Sequence, residues 1–261
     1  MAGPATSRIV GDLTSEEVAS ALHESSILCL PMGSMEQHGP HLPLNTDAVL
    51  AEAFTGRIVE RWGEQYDLWR LPPISVGLSR EHSWVSGTLS LSVSGMTAML
   101  RDLCREIVRA LPARNLLIVN GHGGNRGMLE ALGRELHGDF GLNLCALHLG
   151  AMMSPVTDSA IPEIHAGKDE TSVMLALAPE LVRRERIPDL TAPPDGDAVR
   201  ATILDPATSW PWSSGDRRIA AAGVIGDARA ASAELGNAIV SRVVDAAGAV
   251  LKQLLANQAR R

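Results

Sequence analysis

The sequence is poor in cysteine and in long apolar runs. Three cysteines, Cys29, Cys104 and Cys145, are far apart and form no C-x-x-C pair. They are predicted to be small buried side chains in a reducing compartment, not disulfide partners. Residues 1–12 show no basic start followed by an apolar stretch, and no segment has the apolar length that spans a bilayer. We therefore expect a cytoplasmic protein with no membrane partner.

Positive charge and aromatic side chains are also scarce. Lys and Arg total 23 against 30 Asp and Glu, which gives a formal net charge of -7. No basic stripe follows from this balance, so nucleic acid is not an expected partner. Aromatic residues make up 3% of the chain, whereas apolar residues make up 45%, enough to cover both faces of a buried sheet. At 261 residues, the length fits one large α/β domain as well as two small domains, and no repeat or low-complexity linker divides the chain.

Apolar runs alternate with amphipathic helical patterns along most of the chain. This succession predicts an α/β fold with a mostly parallel central sheet that is covered by helices. In the last helical pattern, Gly236 and Gly248 could interrupt the helix. The predicted strands are 27–31, 68–76, 89–93, 115–120 and 142–149, and the predicted helices are 14–23, 48–62, 95–111, 128–137, 173–181 and 228–258, with a surface loop at 192–197.

The first polar segment with chemical potential is residues 33–47, between a predicted strand and a predicted helix. Glu36 and His38 are two residues apart, so in an extended chain both side chains leave the same face. Asp47 lies near the start of the following helix. Two carboxylates and an imidazole that converge from one loop suit a divalent ion such as Zn, Mn or Fe. The alternative is a polar loop whose side chains are merely solvated.

Two further polar segments follow predicted strands, at 120–125 and 165–172. The glycines around His122 could cradle a phosphate, but G-x-G-x-x-G and a P-loop lysine are both missing. Alternatively, they give His122 room to approach an ion. Glu170 falls in or just before the first turn of the predicted helix at 173–181, where its charge is favourable with or without a metal. Together the three segments offer five ligands, enough for two divalent ions if one carboxylate bridges: Glu36, His38, Asp47, His122 and Glu170.

These three segments resemble the creatininase (creatinine amidohydrolase) family. The resemblance rests on GSMEQHGPHLP at 33–43, Thr46-Asp47, NGHGGN at 120–125, and His165-Ala166-Gly167 followed by Glu170-Thr171-Ser172, and it spans roughly residues 10 to 250. It implies a three-layer α/β/α sandwich that forms a single creatininase-like domain over residues 1–261, two divalent metal ions per chain, hydrolysis of amide-type C–N bonds and a homo-oligomer, often a homohexamer. By position, the resemblance implies that one ion is held by Glu36, Asp47 and His122, and the other by His38, Asp47 and a further carboxylate.

The further carboxylate is where the chain departs from creatininase itself. Creatininase has a glutamate at the position of Gly124, and Glu170 is its natural substitute here. The departure points away from creatinine as substrate. It points toward other family members with the NGHGGN form. The family also includes a peptidase of the mycofactocin precursor peptide and a deformylase of riboflavin and deazaflavin biosynthesis.

The predicted function is that of a metal-dependent amidohydrolase. It would cleave an amide-type C–N bond of a cyclic amide, a formamide or a short peptide with a water activated between two ions. His165 is predicted to protonate the leaving nitrogen, with Glu170 beside it. The alternatives are a non-catalytic metal- or ligand-binding protein and a dinuclear phosphoesterase. The site segments contain few Lys and Arg residues, which argues against the phosphoesterase. The residues expected to contact the substrate are His41, His82, Trp84, Gly123 and Asn125.

Overall fold

A computed structural model describes residues 8–154 and 160–258. In this part of the chain four parallel strands form a sheet in the order β2-β1-β3-β4. The central pair, β1 and β3, is buried along its whole length because its residues are almost all apolar. The strands are β1 Ile27–Met32, β2 Leu68–Arg70, β3 Asn115–Asn120 and β4 Asn143–His148.

Helices cover both faces of the sheet. On one face Phe54 and Val243 pack with Leu117 of β3, and on the other face Leu100 and Leu132 pack with Leu116 of the same strand. The predicted three-layer α/β/α sandwich is therefore confirmed. The helices are α1 Ser15–Ala21, α2 Thr46–Tyr66, α3 Val93–Ala110, α4 Arg126–Phe140, α5 Leu149–Met153, α6 Lys168–Leu177, α7 Gly196–Val199 and α8 Ala233–Gln258.

The predicted strand at 89–93 is wrong. Leu89 forms a single bridge with Met35, and Val93 is already the first residue of α3. The Ser92 hydroxyl accepts a hydrogen bond from Gly95 N–H, which caps the helix at this point. The alternation of leucine and serine, which resembles a half-buried strand, therefore belongs to a loop and a helix start.

The interruption of the last helix is also wrong, since α8 runs unbroken from Ala233 to Gln258. Its glycines serve close packing instead. A Cβ at Gly236 would overlap the carbonyl oxygen of Ser172 in α6, and one at Gly248 would lie 2.6 Å from the Trp62 ring. Gly236 and Gly248 therefore let neighbouring groups approach α8 closely.

Two boundaries differ from expectation for local reasons. Strand β2 ends at Arg70, well before residue 76, because Pro72 and Pro73 cannot donate to the ladder. The expected loop at 192–197 ends earlier because Asp195 caps α7. In β4, Cys145 is only partly buried.

None of the helices in the described ranges is long and apolar enough to cross a membrane. That residues 1–261 form one domain stays a prediction.

Candidate metal centre

The candidate site lies at the carboxyl ends of β1 and β3, which are neighbours in the sheet. Met32 and Asn120 are the last paired residues of these strands. Gly33 and Gly121 follow them, and a Cβ at either position would overlap the backbone at the start of α2. The two glycines therefore allow the first turn of α2 to lie directly against the strand ends, which brings Asp47 between the two loops.

The first group of candidate ligands is Glu36, Asp47 and His122, all buried. His122 Nδ1 lies 2.9 Å from Asp47 Oδ2 and 3.2 Å from Glu36 Oε2. On its other side, His122 Nε2 is 2.8 Å from the carbonyl oxygen of Leu78, to which it can only donate. A backbone carbonyl thus fixes the ring with Nδ1 toward the carboxylates, as is usual for metal-binding histidines.

The second group is His38, Asp47 and Glu170. His38 Nε2 lies 3.1 Å from Asp47 Oδ1 and 3.8 Å from Glu170 Oε2. His38 Nδ1 donates to the carbonyl oxygen of Glu36 at 3.1 Å, so this ring is also oriented by the backbone. Glu170 Oε2 accepts from Ala166 N–H at 2.6 Å. Asp47 belongs to both groups, one oxygen facing each histidine.

His165 belongs to a third group, with Glu36 and His38. Its Nε2 donates to the carbonyl oxygen of Gln37 at 2.8 Å, so its Nδ1 carries no proton in the neutral ring. Nδ1 faces Glu36 Oε1 at 3.7 Å. This geometry suits either a metal ligand or a group that accepts and releases a proton.

The carboxylates favour positive charge on His38 and His122, which lie among them. Burial lowers the pKa of His38, but Asp47 and Glu170 outweigh it and raise that pKa to about 10. Burial lowers the pKa of His122 as well, but Glu36 and Asp47 outweigh it and raise that pKa well above its usual value. Burial raises the pKa of Glu170 to about 7, against the effect of His38.

Asp47 gives the clearest test of whether a metal fits. Burial raises its pKa, yet His38 and His122 together lower it below its usual value. Its Oδ2 is buried without a hydrogen bond of good geometry, although His122 lies close. A shared carboxylate, two oriented imidazoles and two further carboxylates form a donor set for divalent transition metals, so the residues fit such ions.

A cavity of about 730 Å³ opens onto the candidate ligands. His82, Gly123 and His165 line it beside the carboxylates. Its volume falls in the range of small-molecule sites. The apolar and aromatic part of the lining, called the apolar wall below, contains Ile203, Leu204, Trp210, Pro211 and Trp212.

Of the five residues expected to contact substrate, His82 and Gly123 line the cavity, whereas His41, Trp84 and Asn125 are not among its lining residues. Their substrate contacts stay predictions. In the structure each of the three has a protein partner: His41 Nε2 lies 2.8 Å from Thr171 Oγ1, the Trp84 indole donates to Ser214, and the Asn125 amide joins the carbonyl oxygen of Gly33 to the N–H of Leu78. His41 Nδ1 is buried without a hydrogen bond.

The sequence did not single out several residues that support the site. The Ser79 hydroxyl donates to Glu36 Oε2, and Glu81 lines the cavity beside His122. Both lie in the irregular polar segment at 77–88, so its polarity was a usable signal. Gln37 lies inside the first motif. Ser214 carried no signal, because nothing near it in the sequence suggests a site.

Gly124 has no room for a side chain. A Cβ there would overlap the carbonyl oxygen of Leu78 and lie 2.5 Å from both Glu81 Oε1 and His122 Nε2. In the second candidate group the further carboxylate is that of Glu170, at the start of α6.

Fold and site together define an α/β sandwich protein with a buried carboxylate–imidazole centre at the carboxyl edge of a parallel sheet. The profile of the creatininase family, described as creatinine amidohydrolase, matches residues 11–251. The chain therefore belongs to the creatininase family.

Individual relatives agree with this assignment. The chain is 36% identical over 245 residues to the mycofactocin precursor peptide peptidase of Mycobacterium ulcerans, covering 90% of this chain and 87% of the relative. It is 31% identical over 256 residues to the creatinine amidohydrolase of Pseudomonas putida, covering 88% and 91%. A solved structure of creatininase with Mn is 28% identical, with a TM-score of 0.75 over 95% of this chain and 98% of that one.

Proposed function

We propose that the chain is a hydrolase that cleaves an amide-type C–N bond with two divalent ions. The observation that carries the proposal is the pair of donor groups that share Asp47. Glu36 and His122 would complete the site of one ion, and His38 and Glu170 that of the other. When bound, such ions lower the pKa of a coordinated water toward neutrality and polarise a carbonyl oxygen. Zn, Mn and Fe all suit this donor set.

His165 is the residue to which we assign proton transfer. Burial and the neighbouring His82 and His38 lower its pKa well below the usual value, so the ring is neutral near pH 7. Its unprotonated Nδ1 faces the ligand group, while Nε2 is held by the carbonyl oxygen of Gln37. A proton accepted at Nδ1 is released readily to a leaving nitrogen, because the buried ring disfavours the charged form.

The substrate class we favour is a short peptide. The relative at 36% identity bears the name of a peptide peptidase, and Gly124 excludes a side chain at the position where creatininase has a glutamate. The apolar wall, which includes Trp210 and Trp212, offers a surface for apolar side chains. Cyclic amides and formamides remain substrates to be tested. We further propose a homohexamer, from the family resemblance alone, and a cytoplasmic location, from the three scattered cysteines.

Metal content per chain tests the proposal first. Untagged protein prepared without chelator is analysed for metals beside a Glu36→Ala variant. We expect close to two ions per chain, with a clear loss in the variant. Absence of tightly held metal in both samples would refute the dinuclear hydrolase. The metal-loaded protein is then assayed on short peptides, formamides, cyclic amides and phosphoesters, and retained metal without hydrolysis of any amide would favour a binding protein.

A His165→Ala variant tests the assignment of proton transfer. Loss of a general acid–base group typically lowers the rate by about 10²–10⁴-fold. We expect kcat to fall by this amount with normal metal content. Loss of metal together with activity would instead identify His165 as a ligand, which the third donor group permits.

A further inference from the structure

A chain of hydrogen bonds behind the candidate ligands joins Trp84, Ser214 and His82. The indole of Trp84 can only donate, and it donates to Ser214 Oγ at 2.8 Å. Ser214 Oγ also lies 2.8 Å from His82 Nδ1. Ser214 and His82 are both 2% exposed, so these polar atoms must find their partners within the protein.

The side-chain amide of Gln37 has a single orientation in this cluster. Its Oε1 accepts from Gly39 N–H at 2.9 Å, and its Nε2 donates to the carbonyl oxygen of Gly223 at 3.0 Å. A flipped amide would break both bonds. The second proton on Nε2 has Ser214 Oγ and His82 Nδ1 within reach, both at 3.1 Å. His165 Nε2 is nearer, at 3.0 Å, but it carries the proton that it donates to the carbonyl oxygen of Gln37 and so cannot accept another.

Either choice makes His82 Nδ1 an acceptor. If Gln37 donates to Ser214, the hydroxyl oxygen already accepts from both Gln37 and Trp84. The hydroxyl proton of Ser214 then goes to His82 Nδ1 at 2.8 Å, since the carbonyl oxygen of Glu81 is farther away at 3.4 Å. If Gln37 donates to His82, Nδ1 accepts that proton directly. A proton on Nδ1 would leave the cluster with one donor too many. The neutral His82 ring therefore carries its proton on Nε2.

That proton faces a candidate metal ligand. His82 Nε2 lies 3.5 Å from Glu36 Oε1. His165 faces the same oxygen at 3.7 Å, but with an Nδ1 that has no proton. Of these two imidazoles, His82 is thus the one that offers a donor to Glu36 Oε1, while Glu36 Oε2 has the Ser79 hydroxyl.

We propose that Ser214 and Gln37 are positioning residues that hold His82 as its Nε2–H tautomer, so that this N–H orients the Glu36 carboxylate for metal binding. The inference rests on the proposed function in treating Glu36 as a ligand. Loss of an outer partner of a metal ligand typically costs about 10–100-fold in metal affinity or activity.

The tautomer can be observed directly in the metal-free protein. The chain has eight histidines, and ¹⁵N–¹H multiple-bond NMR on histidine-labelled protein distinguishes the two neutral tautomers. A His82→Gln variant assigns the His82 signals by their disappearance. We expect the Nε2–H pattern in the wild type, and the Nδ1–H pattern would overturn the proposal. Because this measurement uses neither metal nor substrate, it stands even if no amide hydrolysis is found.

Zinc affinity tests the consequence of the tautomer. In competition with a chromogenic chelator, Ser214→Ala should bind zinc about 10-fold or more weakly, whereas Ser214→Thr, which keeps a hydroxyl, should recover much of the loss. Ser213→Ala is the matched control, because the Ser213 hydroxyl accepts from Gly215 N–H and does not contact His82. Unchanged affinity in a folded Ser214→Ala protein would overturn the orienting role.

A second variant covers the case in which Ser214→Ala does not fold. Trp84→Phe removes one donor to Ser214 from a side chain that is half exposed. It should weaken zinc binding several-fold and broaden the His82 signals in the NMR spectrum. A variant with wild-type zinc affinity and unchanged His82 signals would contradict the proposal.

Discussion

Gly124→Ala is the substitution for which the structure gives the most direct prediction. The added Cβ would overlap the carbonyl oxygen of Leu78 and press on the His122 ring and the Glu81 carboxylate. Leu78 contributes backbone, and His122 is hydrogen-bonded to it, so neither can move independently of the other. Overpacking of this kind costs roughly 1–3 kcal/mol. At about 2–4 °C per kcal/mol for a chain of this size, the midpoint of thermal unfolding should fall by about 2–12 °C.

The neighbouring Gly123→Ala provides a matched control. No described atom lies within 4 Å of a Cβ at Gly123, so this substitution should leave stability unchanged or raise it by about 0.4–1 kcal/mol. Thermal unfolding in chelator and metal content after reloading are measured for both variants. Gly124→Ala should lose stability and metal, since His122 is displaced, and Gly123→Ala should lose neither. Equal unfolding midpoints would refute the packing described for this loop.

Three further predictions concern protons and packing. His38, with a pKa of about 10, and His122 are protonated in the metal-free protein near pH 7, and Glu170, with a pKa of about 7, is about half protonated, so binding two ions should release about two to three protons per chain. Titration calorimetry in buffers of different ionisation enthalpy measures this number, and buffer-independent heats would contradict it. Because the pKa of His38 is raised in the folded state, the charged ring stabilises the protein fully below the unfolded pKa near 6.5, and this stabilisation is lost as the pH rises through 10. The midpoint of thermal unfolding in chelator should therefore fall between these two pH values. A midpoint that does not change with pH would count against the charged ring. Gly236→Ala should destabilise the protein by roughly 1–3 kcal/mol, because the added Cβ overlaps Ser172. Gly138→Ala, at an exposed and open position of α4, should stabilise it by about 0.5–1 kcal/mol. Denaturant unfolding compares the two variants, and similar unfolding midpoints would refute the α6–α8 contact.

Local pattern was sufficient for much of the fold. Strands β1, β3 and β4 are apolar runs bounded by polar or turn residues, and the long helices have apolar residues at helical spacing. The pattern misled at 89–93, where a capping serine and a helix start imitate alternation. It also misled at Gly236 and Gly248, because the close packing that these glycines permit is a tertiary contact that no window of sequence contains.

The candidate ligands were accessible to sequence reasoning because each lies next to a strand end or a helix start. Parallel strands deliver such residues to one edge, so Glu36 and His122 meet although 86 positions separate their numbers. Among the supporting partners, Ser214 was not accessible. Ser214 lies 132 residues from His82 and 177 from Gln37, and only the folded chain brings them together.

The apolar wall of the cavity rests on a small cluster of its own, which includes Val199, Ile219 and Ile225, with Ile203 and Trp212 packed against it. Ile225 also forms a bridge with His165 and hydrogen-bonds to its backbone at 2.9–3.0 Å. The wall that would select a substrate is therefore joined to the residue that would move its proton. We expect that evolution toward a new substrate through this wall also changes turnover, so that specificity and rate are inherited together rather than tuned separately.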